Sequence, residues 1–344
     1  MKKQNWKVPF YNSKSTFFPV DQSEIDPSQI TNGEHVRRFE KKAADYLGVK
    51  YAVACSSGTI ALFIAFRVLC SAFVGKMAIM PSFTWRSTPE ACMMAGLKPL
   101  LADINKDSLC MDYDFFEKAI NRIPLDRIAA VCIVDTFGNI PDYDRFNLEI
   151  PVIVDSAHSF GSISEQGRPF THCFSLSPTK PLTSCEGGLV TTNDKRLAEK
   201  FTNMRNWAGR MTEFNALVAL AGLEKIDSII AEKNAIAEKY KNCLPAKFQE
   251  ITCKKSSYKD FVVIFESGKS RDDKKKRLSL VDIETRIYFE PVHYYIFKNC
   301  EIRSNLHNTE EIYHRSLCLP CWPGCDVDYV VEKLQSFTLS SVAG

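Results

Sequence analysis

The sequence predicts an α/β protein: a large unit on a mostly parallel β-sheet, followed by a smaller α+β unit. Three observations carry this. Between about residues 50 and 205, short apolar runs alternate with helical patterns. The runs at 128–135 and 151–155 are apolar on both faces, as strands covered by helices on either side must be. After Asn206 the alternation stops, and a long charged helical pattern begins at Glu213.

Taken in order, Tyr51–Cys55 is a short apolar run and reads as a strand, and the helical pattern at 59–70 follows it. The pair repeats as strand 77–80 with helix 87–95, and as strand 99–104 with helix 113–121. Strands 128–135 and 151–155 complete the alternation, which is α/β architecture. Residues 213–244 read as one long helix carrying many charges. A strand at 261–266, a charged helix at 271–280, a strand at 283–289 and a closing helix at 327–337 make the smaller unit. The expected division is therefore 1–210, with an N-terminal arm at 1–35, and 211–344 with the long helix as connector. The run Lys274-Lys275-Lys276-Arg277 has Asp272 and Asp273 beside it and reads as a solvated helix face.

The bulk properties exclude several classes. The chain has 344 residues, 45% hydrophobic and 25% charged, enough for a large domain plus a small one. Its 44 basic and 41 acidic residues leave a net charge of +3, so composition gives no support to a nucleic-acid partner. The basic start Met1-Lys2-Lys3-Gln4-Asn5-Trp6 has no apolar run after it and does not read as a secretory signal. The most apolar stretch, 60–74, is broken by Arg67 and is too short to span a membrane. The thirteen cysteines are scattered, with Cys55, Cys70, Cys92 and Cys132 inside apolar runs. That reads as reduced thiols and a cytoplasmic protein.

Four short segments carry chemistry. Cys55-Ser56-Ser57-Gly58-Thr59 turns from a strand into a helix, and the free N–H groups of a helix start bind phosphate, although such a turn can also merely cap its helix. Pro81-Ser82-Phe83-Thr84-Trp85 follows a strand, where an aromatic can stack on a planar ligand or serve the core. In Val152-Ile153-Val154-Asp155-Ser156-Ala157-His158 an acid ends a fully apolar strand, at the sheet edge where α/β proteins bind ligands. That acid must pair with a cation, such as a protonated pyridine nitrogen, or cap the next segment. Finally, Phe174-Ser175-Leu176-Ser177-Pro178-Thr179-Lys180 places a lysine between two strand-like runs, ahead of Glu186-Gly187-Gly188. A lysine alone is usually a surface residue, but a desolvated one is an amine nucleophile. Together the four supply a phosphate cradle, an aromatic platform, a buried acid and an amine, the parts of a pyridoxal phosphate site.

With these motifs the chain resembles the DegT/DnrJ/EryC1/StrS sugar aminotransferases, which are fold-type I pyridoxal-phosphate enzymes. The resemblance covers nearly the whole chain. It includes Tyr46-Leu47-Gly48-Val49-Lys50-Tyr51-Ala52-Val53, Ser57-Gly58-Thr59-Ile60-Ala61-Leu62 and Leu101-Ala102-Asp103-Ile104. It continues through the lysine segment, Leu223-Glu224-Lys225-Ile226-Asp227, Leu319-Pro320, Pro323-Gly324 and Val330-Val331-Glu332-Lys333-Leu334. The resemblance implies that Lys180 is the Schiff-base lysine and that Asp155 pairs with the pyridine nitrogen. It also implies that Gly58, Thr59 and Ser175 hold the phosphate, that Trp85 stacks on the ring, and that His158 lies near the phenolic oxygen. It implies an amino donor, by analogy glutamate, a nucleotide-linked keto sugar as acceptor, an amino-sugar product for a surface polysaccharide or lipopolysaccharide, and a homodimer.

The chain departs from the family in two places. After Arg205-Asn206 relatives carry a longer loop whose Asn reaches the neighbouring subunit's phosphate site. Here Asn206-Trp207-Ala208-Gly209-Arg210-Met211 runs straight into Thr212-Glu213, so Asn206 or Arg210 substitutes or the contact is absent. The segment Ile30-Thr31-Asn32-Gly33 is abbreviated too. Three rival readings remain: a non-catalytic relative, a sugar dehydratase, whose known members replace the lysine by histidine, and a dinucleotide binder, which lacks its G-x-G-x-x-G turn here. Cys318, Cys321 and Cys325 have a metal-like spacing but read as packing, and His293 reads as a rim residue in a supporting role.

Overall fold

The computed structural model of the protein describes residues 6–73, 75–121, 123–296, 301–302 and 305–339. In chain order its elements are α1 (Glu34–Leu47), β1 (Tyr51–Cys55), α2 (Gly58–Leu69), β2 (Met77–Pro81), α3 (Ser87–Met94), β3 (Lys98–Ala102) and α4 (Tyr113–Ile120). Then come β4 (Ile128–Val134), β5 (Val152–Asp155), β6 (Thr171–Ser175), β7 (Gly188–Thr192), α5 (Lys195–Ala208), α6 (Glu213–Leu223) and α7 (Ile226–Cys243). The rest are β8 (Lys247–Phe248), β9 (Phe261–Ile264), α8 (Gly268–Leu280), β10 (Glu301–Ile302), α9 (His307–Arg315), β11 (Ser316–Leu319) and α10 (Val327–Leu339).

The α/β expectation holds. The large sheet runs β1-β7-β6-β5-β4-β2-β3-β10, parallel from β6 onward, with β7 antiparallel to both neighbours. The strands are buried on both faces because successive side chains alternate between two cores. Cys132 of β4 packs with Ile64, Phe66 and Met80 on one side, while Val131 and Ile133 pack with Phe116 and Val154 on the other. Each such side chain contributes about 1.5–3 kcal/mol by leaving water. The helices start where a polar side chain can cap them. Ser57, Asp112, Asp194, Thr212 and Ser267 each accept a first-turn backbone N–H of α2, α4, α5, α6 and α8.

Two expected elements come out differently. Residues 213–244 are two helices, α6 and α7, separated at Glu224 and Lys225. Gly222 in the last turn of α6 lies so near Leu182 that an added Cβ would sit 2.9 Å from its Cδ1. The Lys225 N–H closes the turn on the Gly222 carbonyl at 3.0 Å, and Tyr46 Oη ties Asp227 at the start of α7 to α1 at 2.8 Å. The apolar period runs on across this break, so sequence alone joins the two. Residues 283–289 do not form a strand either. Ile283 makes a single parallel rung with Val8, and Arg286 a single antiparallel rung with Cys318. Beyond them Tyr288 and Phe289 turn to line a cavity.

The smaller sheet, β11-β9-β8, is antiparallel and packs with α7 and α10 around Tyr240, Phe261, Leu278, Leu317 and Val330. The C-terminal part returns to the large sheet through β10, and Asp103 accepts the Asn308 and Thr309 N–H groups at 2.9 and 2.8 Å. The lysine-rich part of α8 makes an i,i+4 pair between Arg277 and Asp273. Among the described residues no helix is long and apolar enough to cross a membrane, no group of residues could hold a metal ion, and every cysteine is a free thiol.

Candidate active site

The C-terminal ends of β2, β4, β5 and β6 open on one cavity of about 240 Å³. Ligands of open α/β sheets bind at this edge because the turns and helix N-termini that follow the strands converge there. Gly58, Thr59, Trp85, Asp155, His158, Ser175 and Lys180 all line this cavity, although they come from four separate stretches of chain.

The first wall is the β1–α2 turn. Gly58 sits directly on β6: a Cβ there would come 2.7 Å from Ser175 Cβ and 3.0 Å from its Cα. A Cβ on Gly188, the first residue of β7, would run into the Ser57 carbonyl. The small residues let the start of α2 lie against Ser175, leaving the first-turn N–H groups at the cavity wall. Thr59 Oγ1 donates to Ser87 Oγ at 2.9 Å, tying α2 to α3. Gly58→Ala is expected to weaken retention of a phosphate-bearing cofactor by about tenfold or more, since overpacking costs about 1–3 kcal/mol. Equilibrium dialysis of the cofactor checks this.

The second wall is the end of β5. Asp155 is only 5% exposed. Thr88 Oγ1 donates to its Oδ2 at 2.6 Å, and the Ala157 N–H to its Oδ1 at 3.1 Å. It makes no ion pair among the described residues. Burial raises its pKa above the usual carboxylate value, against the Thr88 and Ala157 bonds and the nearby Lys180, which lower it. A carboxylate so placed calls for a cationic ligand atom.

His158 follows on the same turn. Its Nδ1 accepts the Phe137 N–H at 3.2 Å, which leaves the proton on Nε2. Burial, with Lys180 and Lys259 nearby, holds its pKa well below the usual value, so the ring is neutral. It packs against the stacked pair of Phe137 and Phe289, whose centroids are 5.0 Å apart and lie 5.9 and 5.7 Å from its own. Asp135, at the end of β4, fixes the turn by accepting from Ser156 Oγ at 2.8 Å and Ser159 Oγ at 2.5 Å. Trp85 is not a core aromatic: it is 52% exposed at the rim, edge-on to Tyr288 with centroids 6.2 Å apart.

Lys180 stands at the centre, on the turn between β6 and β7, its N–H bonded to the Ser177 carbonyl at 3.0 Å. Part of its surface is open to the cavity, yet protein surrounds the ammonium. Desolvation first, and Lys259 second, bring its pKa down to about 7, while Asp155, Asp260 and Glu186 pull the other way. The neutral amine is therefore populated near pH 7. Capture of an aldehyde by Lys180 is expected to accelerate as pH rises through about 7 and then to level off. Stopped-flow absorbance across the pH range checks this, and a limb near the ordinary lysine value contradicts it.

Sequence reasoning missed Lys259, Asp260, Tyr288 and Phe289, which line the same cavity. Lys259 Nζ is held by Asp260 at 2.8 and 3.0 Å, and both are buried. The clue was a charged pair opening the fully apolar strand β9. Other sequence suspects lie elsewhere. Asn206 accepts from Asn32 Nδ2 at 3.1 Å and Arg205 Nε at 3.0 Å, its carbonyl takes Arg210 Nε, and none of these residues lines the cavity. His293 is buried between Ser82 Oγ at 2.8 Å and Glu310 Oε1 at 3.1 Å, away from the cavity. Cys318, Cys321 and Cys325 are buried thiols in cores around the small sheet.

A doubly covered parallel sheet with a lysine, an acid and a helix N-terminus around one cavity is the arrangement of a fold-type I transferase. The match to a family model over residues 20–335 identifies the branch: the chain belongs to the DegT/DnrJ/EryC1/StrS aminotransferase family. It is 28% identical over 342 residues to a GDP-perosamine synthase of Vibrio cholerae, spanning 90% of this chain and 91% of the relative. It is 28% identical over 360 residues to a dTDP-4-amino-4,6-dideoxy-D-glucose transaminase of Shigella dysenteriae, spanning 93% and 95%. The crystal structure of a DegT DnrJ EryC1 StrS aminotransferase from Brucella abortus superposes with a TM-score of 0.82 at 26% identity, covering 90% of this chain and 92% of that one.

Proposed function

We propose that this protein is a pyridoxal-phosphate-dependent aminotransferase that moves an amino group from glutamate to a keto-deoxy sugar attached to a nucleotide. The observation that carries the reading is the convergence of Lys180, Asp155, Gly58, Thr59, Ser175, Trp85 and His158 on one cavity. The residues fit the cofactor. The close approach of Gly58 to Ser175 is a phosphate cradle that a Cβ would fill. Asp155, buried without an ion pair among the described residues, suits a protonated ring nitrogen. Gly58, Thr59 and Ser175 would hold the phosphate, Asp155 the ring nitrogen, Trp85 a ring face, and His158 Nε2 the phenolic oxygen. The family relatives act on GDP-linked and dTDP-linked sugars by their names, which supports a nucleotide sugar as acceptor and leaves the nucleotide open.

Bound there, the cofactor supplies an electron sink that stabilises negative charge at the carbon losing its proton. The chain's own residues do the rest. Lys180 Nζ, neutral near pH 7, would take the proton from the donor's α-carbon and pass it to the cofactor in the same half-reaction, and in the second would deliver a proton to the sugar carbon that receives the amine. Asp155 keeps a proton on the ring nitrogen by charge. His158 stays neutral and acts as a fixed donor rather than an acid. The stacked Phe137 and Phe289 rings pack against one side of the imidazole and help hold it in place. The product is an amino-sugar nucleotide for a surface polysaccharide or lipopolysaccharide.

The assembly is a homodimer in the cytoplasm, in which Asn206 or Arg210 substitutes for the relatives' loop asparagine at the second subunit's phosphate site or that contact is absent. The domain line lies near residues 206–213, with the crossing rungs of Val8 and β10 joining the two parts. Light scattering is expected to give twice the chain mass. The function is tested by adding glutamate, then a nucleotide-linked 4-keto-6-deoxy sugar, to protein supplied with the cofactor. The visible band is expected to vanish with glutamate and return with the sugar, and a band indifferent to every amino donor contradicts the reading.

A further inference from the structure

Behind Lys180 the site continues into a second chamber of about 310 Å³, within the ordinary range for small-molecule sites. It shares Thr179, Lys180, Lys259, Asp260 and Tyr288 with the first cavity, so the two are contiguous. Its far walls come from the N-terminal segment (Phe10, Tyr11, Thr16), from α7 through Lys233, and from Glu284 and Arg286. The N-terminal segment is held in place by Trp322 Nε1 donating to the Pro9 carbonyl at 2.9 Å and by Tyr11 Oη on the Pro178 carbonyl.

The charges of this chamber do not balance. Asp260 is engaged by Lys259. Glu284 is engaged by Arg286 Nη2 at 2.5 Å and by the Phe10 N–H at 3.0 Å. That leaves Lys233, 5% exposed, with only the Cys321 carbonyl as hydrogen-bond acceptor and no ion pair among the described residues. A buried ammonium normally demands an anion. Thr16 Oγ1 is a second unfilled group: it is buried in the same wall, near the Tyr11 phenol, with no hydrogen-bond partner among the described residues. An unpaired cation and an unpaired hydroxyl on one chamber wall describe an anion site.

We infer that this chamber is the carboxylate subsite of the amino donor. The donor's carboxylate is held by Lys233 with the Thr16 hydroxyl as a further donor, and Lys259 lies on the passage toward Lys180. The inference rests on the aminotransferase reading of the site. A dicarboxylic donor suits it: one end needs an anion site, and the other must bring its amine to Lys180. The acceptor sugar, which enters after the donor's keto acid has left, uses the open side at Trp85. The chamber's other plausible anion is the diphosphate of the nucleotide sugar, and the test separates the two.

Glutarate, a dicarboxylate with no amine to react, is titrated by calorimetry into the cofactor-loaded protein, its Lys233→Met variant and its Thr16→Val variant. GDP, UDP and dTDP are titrated in parallel. Glutarate affinity is expected to fall by about tenfold or more in Lys233→Met and by several-fold in Thr16→Val, as loss of a charged and a neutral hydrogen bond implies. Nucleoside diphosphate affinity is expected to be unchanged in both. Thr16→Val keeps the test open if Lys233→Met fails to fold. Glutarate binding unaltered in the folded variants overturns the inference, and so does loss of nucleoside diphosphate binding in place of glutarate. The visible band of the same samples keeps the two readings apart. A normal band with unaltered glutarate binding removes only this subsite, whereas no band in the unmodified protein removes the reading beneath it.

Discussion

Replacing Lys180 by alanine is expected to abolish turnover, a fall of more than about 10⁴-fold in kcat/KM, because one side chain does two jobs. In the proposed reaction it is the point of covalent attachment and the base that moves the proton at the reacting carbon. Its environment supports both roles. The amine is desolvated and sits near the Lys259 ammonium, which brings its pKa down to about 7 and keeps a neutral fraction available. Lys180→Arg is expected to be equally inactive, since a guanidinium stays charged at any working pH. The loss is not one of folding. A lysine whose pKa is lower in the folded chain opposes folding while charged. That opposition is full below about pH 7 and fades as pH rises toward the ordinary lysine value of 10.5. Lys180→Ala is therefore expected to melt no lower than the unmodified protein at pH 6. Steady-state kinetics and a thermal melt on the same preparation check both halves.

Asp155→Asn carries the second large effect. Asparagine has the same shape, and its amide can still accept the Ala157 N–H and pair with Thr88, so the turn after β5 stays in place. What is lost is the negative charge opposite the ring nitrogen. Removing one such electrostatic partner is worth about 10²–10³-fold in kcat. The cofactor is expected to remain bound, because Lys180 and the Gly58–Ser175 cradle are untouched. A variant that keeps its visible band and loses kcat by that amount supports the role. A variant with full kcat shows that Asp155 only caps the turn.

Much of the large unit was legible because its strands are covered on both sides and so read as unbroken apolar runs. Asp155 stood out as a candidate because a carboxylate ending such a strand must either meet a cation or cap the next segment, and Gly58 because a small-residue turn opened a helix. Lys180 became readable only through its neighbours. What sequence could not show followed from contacts distant in the chain. The break between α6 and α7 lies where the Lys225 N–H closes a turn on Gly222, which packs against the distant Leu182, and the apolar period gives no sign of it. Residues 283–289 look like a strand by composition, but Val8 and Cys318 each supply one rung, and Tyr288 and Phe289 are spent on the cavity instead. Lys259 and Asp260 were hidden for a related reason. Two adjacent opposite charges resemble a surface pair until folding buries both beside Lys180.

The account stands or falls on which atom carries the cofactor. The cofactor-loaded protein is reduced with borohydride to fix the linkage, digested, and the modified peptide sequenced by mass spectrometry. The added mass is expected on Lys180 alone. A label on Lys233, on Lys259 or on no lysine at all would contradict the central claim.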